Sequence, residues 1–209
     1  MIDQLQWLGH GSFLLDGNPI IYIDPWRLAG AQLPADIILI SHDHYEHCSP
    51  TDVARIRQPD TVIIGNELVA EQIEGCTVIR AWQSLNIGSV NIKAVPAYST
   101  ESLEHPREDG GLGFVISINF YDIYYAGDTQ LIPEMHTLHP DIAILPIDGK
   151  GTLDIYTAAE AARILHPRHV VPCNWDKRLG GATPLDVMRF KSEVNNEFEV
   201  VVPISRTIA

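Results

Sequence analysis

The segment Ala35–Ser41, "ADIILIS", constrains this chain more than any other. An isoleucine-rich apolar run of this length, bounded by polar residues, reads as a strand buried on both faces. Such a strand needs cover on both sides. It is followed at once by "HDHYEH", His42 to His47, which packs three histidines, one aspartate and one glutamate into six positions. In extended or gently turning backbone, residues two apart point to the same side, so His42 and His44 reach one metal ion from the end of the strand. Glu46 and His47 follow where the chain turns, placed for the same ion or a second one.

The remaining elements surround that strand with more sheet. "LQWLGHGSFLLDG" and "PIIYIDP" carry β-branched and aromatic residues broken by the turn "DGNP". After the histidines, "SPTDVARIR" opens with a capping serine and a proline in the first turn, which predicts a helix. Strands are expected at "TVIIG", "CTVIRA", "LNIGSVNIKAVPA", "LGFVISINF" and "YDIYYAGD", the last two as a hairpin. The C-terminal third changes rhythm: strand "PDIAILPI", helix "LDIYTAAEAARILH", strand "PRHVVPCN", helix "TPLDVMRFKSEV" and strand "FEVVVPI". Two strand-rich halves with interspersed helices fit two sheets face to face with helices outside, a four-layer αββα sandwich. No linker or repeat interrupts residues 1–209, so a single domain is expected.

Composition narrows the function. With 45% hydrophobic and 20% charged residues the chain is an ordinary globular one, and its net charge of −13 disfavours nucleic acid and anionic membrane surfaces as partners. The opening "MIDQLQWLGHGSF" lacks a basic region followed by an apolar signal core, and no stretch approaches a membrane helix, so a cytoplasmic protein is expected. Cys48, Cys76 and Cys173 are odd in number and lack metal-type spacing, which indicates reduced thiols, with Cys48 a candidate reactive one. The partner expected is a small-molecule substrate; the oligomeric state is not encoded in any recognisable pattern.

The histidine cluster resembles the HxHxDH signature of the metallo-β-lactamase-fold superfamily. "WLGHGSFLLDG" and "IIYIDPW" resemble the opening of its ascorbate-6-phosphate-lactonase-like branch, "YYAGDTQLIPEM" its AGDT segment, and "AAEAARILHPRHVVPCNW" the stretch before its last metal-binding histidine. The resemblance implies the αββα fold with one or two metal ions, zinc first, with manganese or iron as alternatives, and mostly hydrolytic chemistry. Carried over residue by residue, it assigns His42, His44, His47 and Asp128 as ligands, and Glu46 stands where aspartate is expected. Two positions depart from the pattern: Tyr98 in "VPAYST" and Asn174 in "VPCNW" stand where histidines are expected, and neither a neutral phenol nor an amide is a good zinc ligand.

His105, in the loop after Tyr98, and His10, in "LGHGS", are the histidines available to compensate, as ligands or as acid/base groups. Asp24, in "IDP", is expected to orient a ligand imidazole through its other N–H. A bound metal acidifies water and polarises a carbonyl or phosphoryl oxygen. In that chemistry the catalytic set is Asp128 orienting the nucleophile, Glu46 as ligand or base, and His10 or Tyr98 serving the leaving group or oxyanion. Lys150 and Asn174 are candidate substrate contacts, and Lys177 and Arg178 lie close by in sequence. The expected activity is hydrolysis of a small anionic ester, lactone or phosphodiester. The alternative is a metal-poor relative that binds a ligand or partner without turnover.

Overall fold

A computed structural model describes residues 1–175, 180–195 and 197–202, which group into two compact units, Met1–Ile79 and Arg80–Val202. Lys177 and Arg178 lie outside the described residues. Among the described residues, no helix is long and apolar enough to cross a membrane.

The first unit holds a six-stranded sheet in sequence order: β1 Leu5–Gly9, β2 Ser12–Leu15, β3 Ile21–Ile23, β4 Ile37–Leu39, β5 Val62–Gly65 and β6 Cys76–Val78. The first three strands meander antiparallel; β3 to β6 run parallel. Every residue of β4 is fully buried, as the apolar run demands. Alternation sorts the faces. Leu14, Tyr22, Ile38 and Ile63 join one core cluster with Val53, Ile56, Val69 and Ile73. The last four belong to, or directly follow, two short helices, α1 Pro50–Ile56 and α2 Glu67–Gln72. Ser49 caps α1 ahead of Pro50, accepting from the Asp52 amide as the sequence predicts. The helix α2, capped by Asn66, is not anticipated by the sequence pattern.

The second unit holds a seven-stranded sheet in the order β13-β12-β11-β10-β9-β8-β7. Its strands are β7 Ser84–Ile87, β8 Val90–Pro96, β9 Leu112–Ile118, β10 Tyr121–Tyr125, β11 Ile142–Pro146, β12 His169–Cys173 and β13 Glu199–Val200. Strands β7 to β10 are antiparallel and β10 to β13 parallel. The predicted β9–β10 hairpin forms on Asn119 and Phe120, both with positive φ, a backbone that matches the twist of the strands it joins. Helices α3 Ile155–Leu165 and α4 Pro184–Glu193 each begin with a full capping box, Asp154 with Thr157 and Thr183 with Asp186. The buried alanines 158, 159, 161 and 162 let α3 sit close in a core that includes Tyr124, Leu145 and Phe190. The strand β13 is only two residues long, shorter than "FEVVVPI" suggests.

Candidate metal centre

In the first unit the site is built at the C-terminal ends of the parallel strands β3 and β4, where ligands gather in open α/β sheets. Asp24 leaves β3 with φ +45° and is completely buried. Its Oδ1 accepts the Ser41 amide at 2.7 Å, and its Oδ2 accepts the Ser41 hydroxyl at 2.5 Å and faces His47 Nδ1 at 2.7 Å. Ser41 Oγ also lies 2.9 Å from His42 Nδ1. A carboxylate only accepts, so the Ser41 proton goes to Asp24 and the hydroxyl lone pair takes the His42 Nδ1 proton. The same logic protonates His47 at Nδ1. Asp24 thereby sets two imidazoles in one tautomer, one directly and one through Ser41, with Nε2 carrying the lone pair that a metal takes.

A tight turn gathers the rings. The amides of His47 and Cys48 both donate to the His44 carbonyl, at 2.9 and 2.7 Å. Ring centroids of His42 lie 4.7 Å from His44 and 4.2 Å from His47. The expected pairing of His42 with His44 is therefore present, and His47 is drawn into the same group. His10 joins from the β1–β2 turn. Its φ is +48°, Gly9 precedes it at +122°, and its carbonyl accepts the Trp7 indole N–H at 2.8 Å. The His10 ring stands edge-on to His47 at 5.2 Å and to Trp26 at 6.1 Å. Potential ligand atoms of His10, Glu46 and His47 all lie within 4.8 Å of one another. Burial, with the charges of Asp24 and Asp43, pushes the Cys48 thiol up to about 12, which disfavours the thiolate that a reactive cysteine needs.

In the second unit Asp128 follows β10 after a glycine the geometry requires. Gly127 has φ +66°, and a Cβ there would stand 2.5 Å from the Leu112 carbonyl oxygen. Asn174 follows β12, also at positive φ (+59°) and fully buried, and its amide donates to Asp128 Oδ1 at 2.9 Å. His105 Nε2 lies 3.4 Å from Asp128 Oδ2. That is long for an N–H···O hydrogen bond, and an imidazole nitrogen and a carboxylate oxygen are both donors that a divalent cation would take.

Tyr98 is committed elsewhere. Its hydroxyl donates to Glu134 Oε2 at 3.0 Å and accepts from Arg107 at 3.2 Å, while Arg107 pairs with Glu134 at 2.9 Å. Desolvation, then the hydrogen bond and charge of Glu134, raise its pKa. The group pins both ends of the loop that carries His105. Trp175 donates its indole N–H to the Pro172 carbonyl and packs on the core. Lys150 is exposed in the loop after β11. In the same loop Asp148, which no sequence motif singles out, is pushed up to about 6 by burial and by the charge of Asp128, with the 2.5 Å Thr152 hydrogen bond opposing. The strand-end context of "PIDG" is its only signal in the sequence.

The donor set of the first unit, imidazoles in the ligating tautomer beside a carboxylate, fits a zinc-type divalent cation, with manganese or iron compatible with the same donors.

Comparison with known proteins agrees. A β-lactamase superfamily domain model matches residues 4–174. A UPF0173 metal-dependent hydrolase of Methanoregula boonei is 30% identical over 188 residues, 83% of each chain. The crystal structure of a putative metal-dependent hydrolase from Parabacteroides distasonis has a TM-score of 0.87 at 31% identity, covering 97% of this chain and 93% of that one. Igni18, a metallo hydrolase from Ignicoccus hospitalis, shares the fold with a TM-score of 0.79 at 23% identity over 96% and 94% of the two chains. Two sheets of this topology, a histidine cluster prepared for a cation and these relatives place the chain in the metallo-β-lactamase superfamily, among the UPF0173 metal-dependent hydrolases.

Proposed function

We propose that this chain hydrolyses a small anionic ester, lactone or phosphodiester, in the manner of the lactonase-like branch it resembles, as one metallo-β-lactamase-like domain spanning residues 1–209. The observation that carries the reading is the Asp24 network, which fixes His42 and His47 with Nε2 ready to ligate. A fully buried carboxylate is costly to desolvate, and orienting imidazole ligands is the role that repays it. We assign His42, His44 and His47 as ligands; the family resemblance adds Asp128, and His105 is the histidine available to stand in for the one that Tyr98 replaces. Zinc is the first choice of ion. When bound, it acidifies water and polarises the substrate oxygen.

The chain's own residues do the rest. Asp128, held at Oδ1 by the Asn174 amide, keeps one carboxylate orientation. Glu46 and His10 flank His47 as ligands or proton-handling groups. Tyr98, with its proton directed at Glu134, serves the site by holding the His105 loop. Lys150, exposed in the loop after β11, is assigned to an anionic group of the substrate, and Asn174, which spends one amide N–H on Asp128, is assigned to a polar one. Three free cysteines support a cytoplasmic setting.

A second reading, ligand or partner binding without turnover, is favoured by one fact: both replaced positions, Tyr98 and Asn174, hydrogen-bond to protein side chains. The two readings separate on a panel of generic aryl esters, lactones and bis-aryl phosphodiesters assayed with zinc, manganese or iron and with chelator. Chelator-sensitive turnover supports the hydrolase. Thermal stabilisation by a panel compound without turnover supports binding.

A further inference from the structure

Glu46 is the residue of the histidine cluster that the family resemblance does not explain. The pattern calls for aspartate there, and an extra methylene moves the carboxylate outward. The structure shows where it goes: Glu46 Oε2 is buried and has no hydrogen-bond partner among the described residues, and its carboxylate sits with ring nitrogens of His10 and His47, all within 4.8 Å. A buried carboxylate oxygen left without a donor is expensive unless a cation completes it. His47 presents Nε2 because Asp24 holds Nδ1. His10 is kept in place by an uncommon backbone conformation, φ +48°, by the Trp7 indole on its carbonyl and by the edge of Trp26. Non-glycine residues in the left-handed region persist where the surroundings enforce them, often at functional sites.

We propose that His10, Glu46 and His47 hold a zinc-type divalent cation, with His10 as a ligand and not a proton carrier. Two imidazoles and one carboxylate are a ligand set that catalytic zinc sites use, three protein ligands leaving a fourth position for water or substrate. The longer arm of Glu46 brings its oxygen to His10, which supplies a nitrogen in a chain whose terminal histidine has become Asn174. The proposal rests on the metal-dependent reading above and refines it: with Nδ1 engaged by Asp24, His47 ligates through Nε2 alone and belongs to this ion, which leaves His42 and His44 to the second of the two ions.

The test is calorimetric titration of chelator-stripped protein with zinc chloride, for wild type, His10→Gln, Glu46→Gln and Glu46→Asp. Cobalt-loaded samples report ligand changes through visible absorption, and melting of the metal-free forms verifies folding. His10→Gln and Glu46→Gln are expected to weaken zinc binding ten-fold or more, or to remove one equivalent, and to alter the cobalt spectrum. Glu46→Asp should weaken it too, since the shorter arm retracts from His10. Wild-type stoichiometry, affinity and cobalt spectrum in folded His10→Gln and Glu46→Gln would overturn the proposal while leaving the hydrolase reading intact. Zinc binding lost in the variants, in a protein that turns over no substrate, would support the site and overturn the hydrolase. A wild type that binds neither zinc nor cobalt would overturn both.

Discussion

In the first unit the ligand-type side chains are held by their far nitrogens: Asp24 grips His47 and, through Ser41, His42, so the near nitrogens are prepared for a cation. In the second unit the side chains standing where histidines are expected have been absorbed into the protein. Asn174 donates to Asp128, and Tyr98 donates to Glu134 under the Arg107 guanidinium. A lost ligand therefore need not leave a gap. An amide that donates to a carboxylate preserves its orientation, and its carbonyl oxygen is a poorer zinc ligand than the imidazole nitrogen expected at that position.

The comparison breaks most severely at Asp24. Asp24→Ala removes the acceptor for three buried donors, and a cost of about 3–5 kcal/mol is expected from stranding them. The milder Asp24→Asn, which disturbs the tautomers, should fold and bind zinc about 10–100-fold more weakly. Denaturant melts and zinc titration read the two effects.

Next comes Asp148. Its folded pKa of about 6 lies above the usual 3.8, so ionising it costs stability. The favourable state is fully present below about pH 4 and is lost as pH rises through 6. In metal-free protein Asp148→Asn should then be more stable than wild type at pH 7–8, by up to about 3 kcal/mol, and little different at pH 4. Paired melts across that range check the sign. No gain at pH 8 would mean the carboxylate is better solvated than its burial implies.

Asn174→Ala removes a hydrogen bond to a charged group and should cost about 1.5–3 kcal/mol. Tyr98→Phe, the smallest change, should cost about 1 kcal/mol by releasing the hydroxyl from Glu134 and Arg107. If Tyr98 acts only by pinning the loop, this variant should keep its zinc stoichiometry.

Much of this arrangement is legible in the amino-acid sequence. A short apolar strand running directly into ligand-type residues announces a site because both signals are local. Asp24, a strand-end aspartate before proline, is readable as an orienting carboxylate for the same reason. The helix α2 escapes notice because six residues carry too little apolar periodicity, although Asn66 stands ready as its cap. Ser41 as the link from Asp24 to His42, Arg107 and Glu134 around Tyr98, and Glu46 beside His10 are out of reach. Each of these partnerships joins residues distant in sequence, through contacts that exist only after the sheets form.

Metal binding by the histidine cluster is the claim on which everything else depends. Metal content by plasma mass spectrometry, on protein dialysed without chelator beside folded His42→Ala and His47→Ala variants, tests it most directly. About one or two equivalents of zinc, manganese or iron are expected in the wild type, as catalytic sites of this ligand class hold, with marked loss in both variants. A wild type that remains metal-free after incubation with each ion, or variants that retain the full complement, would contradict it.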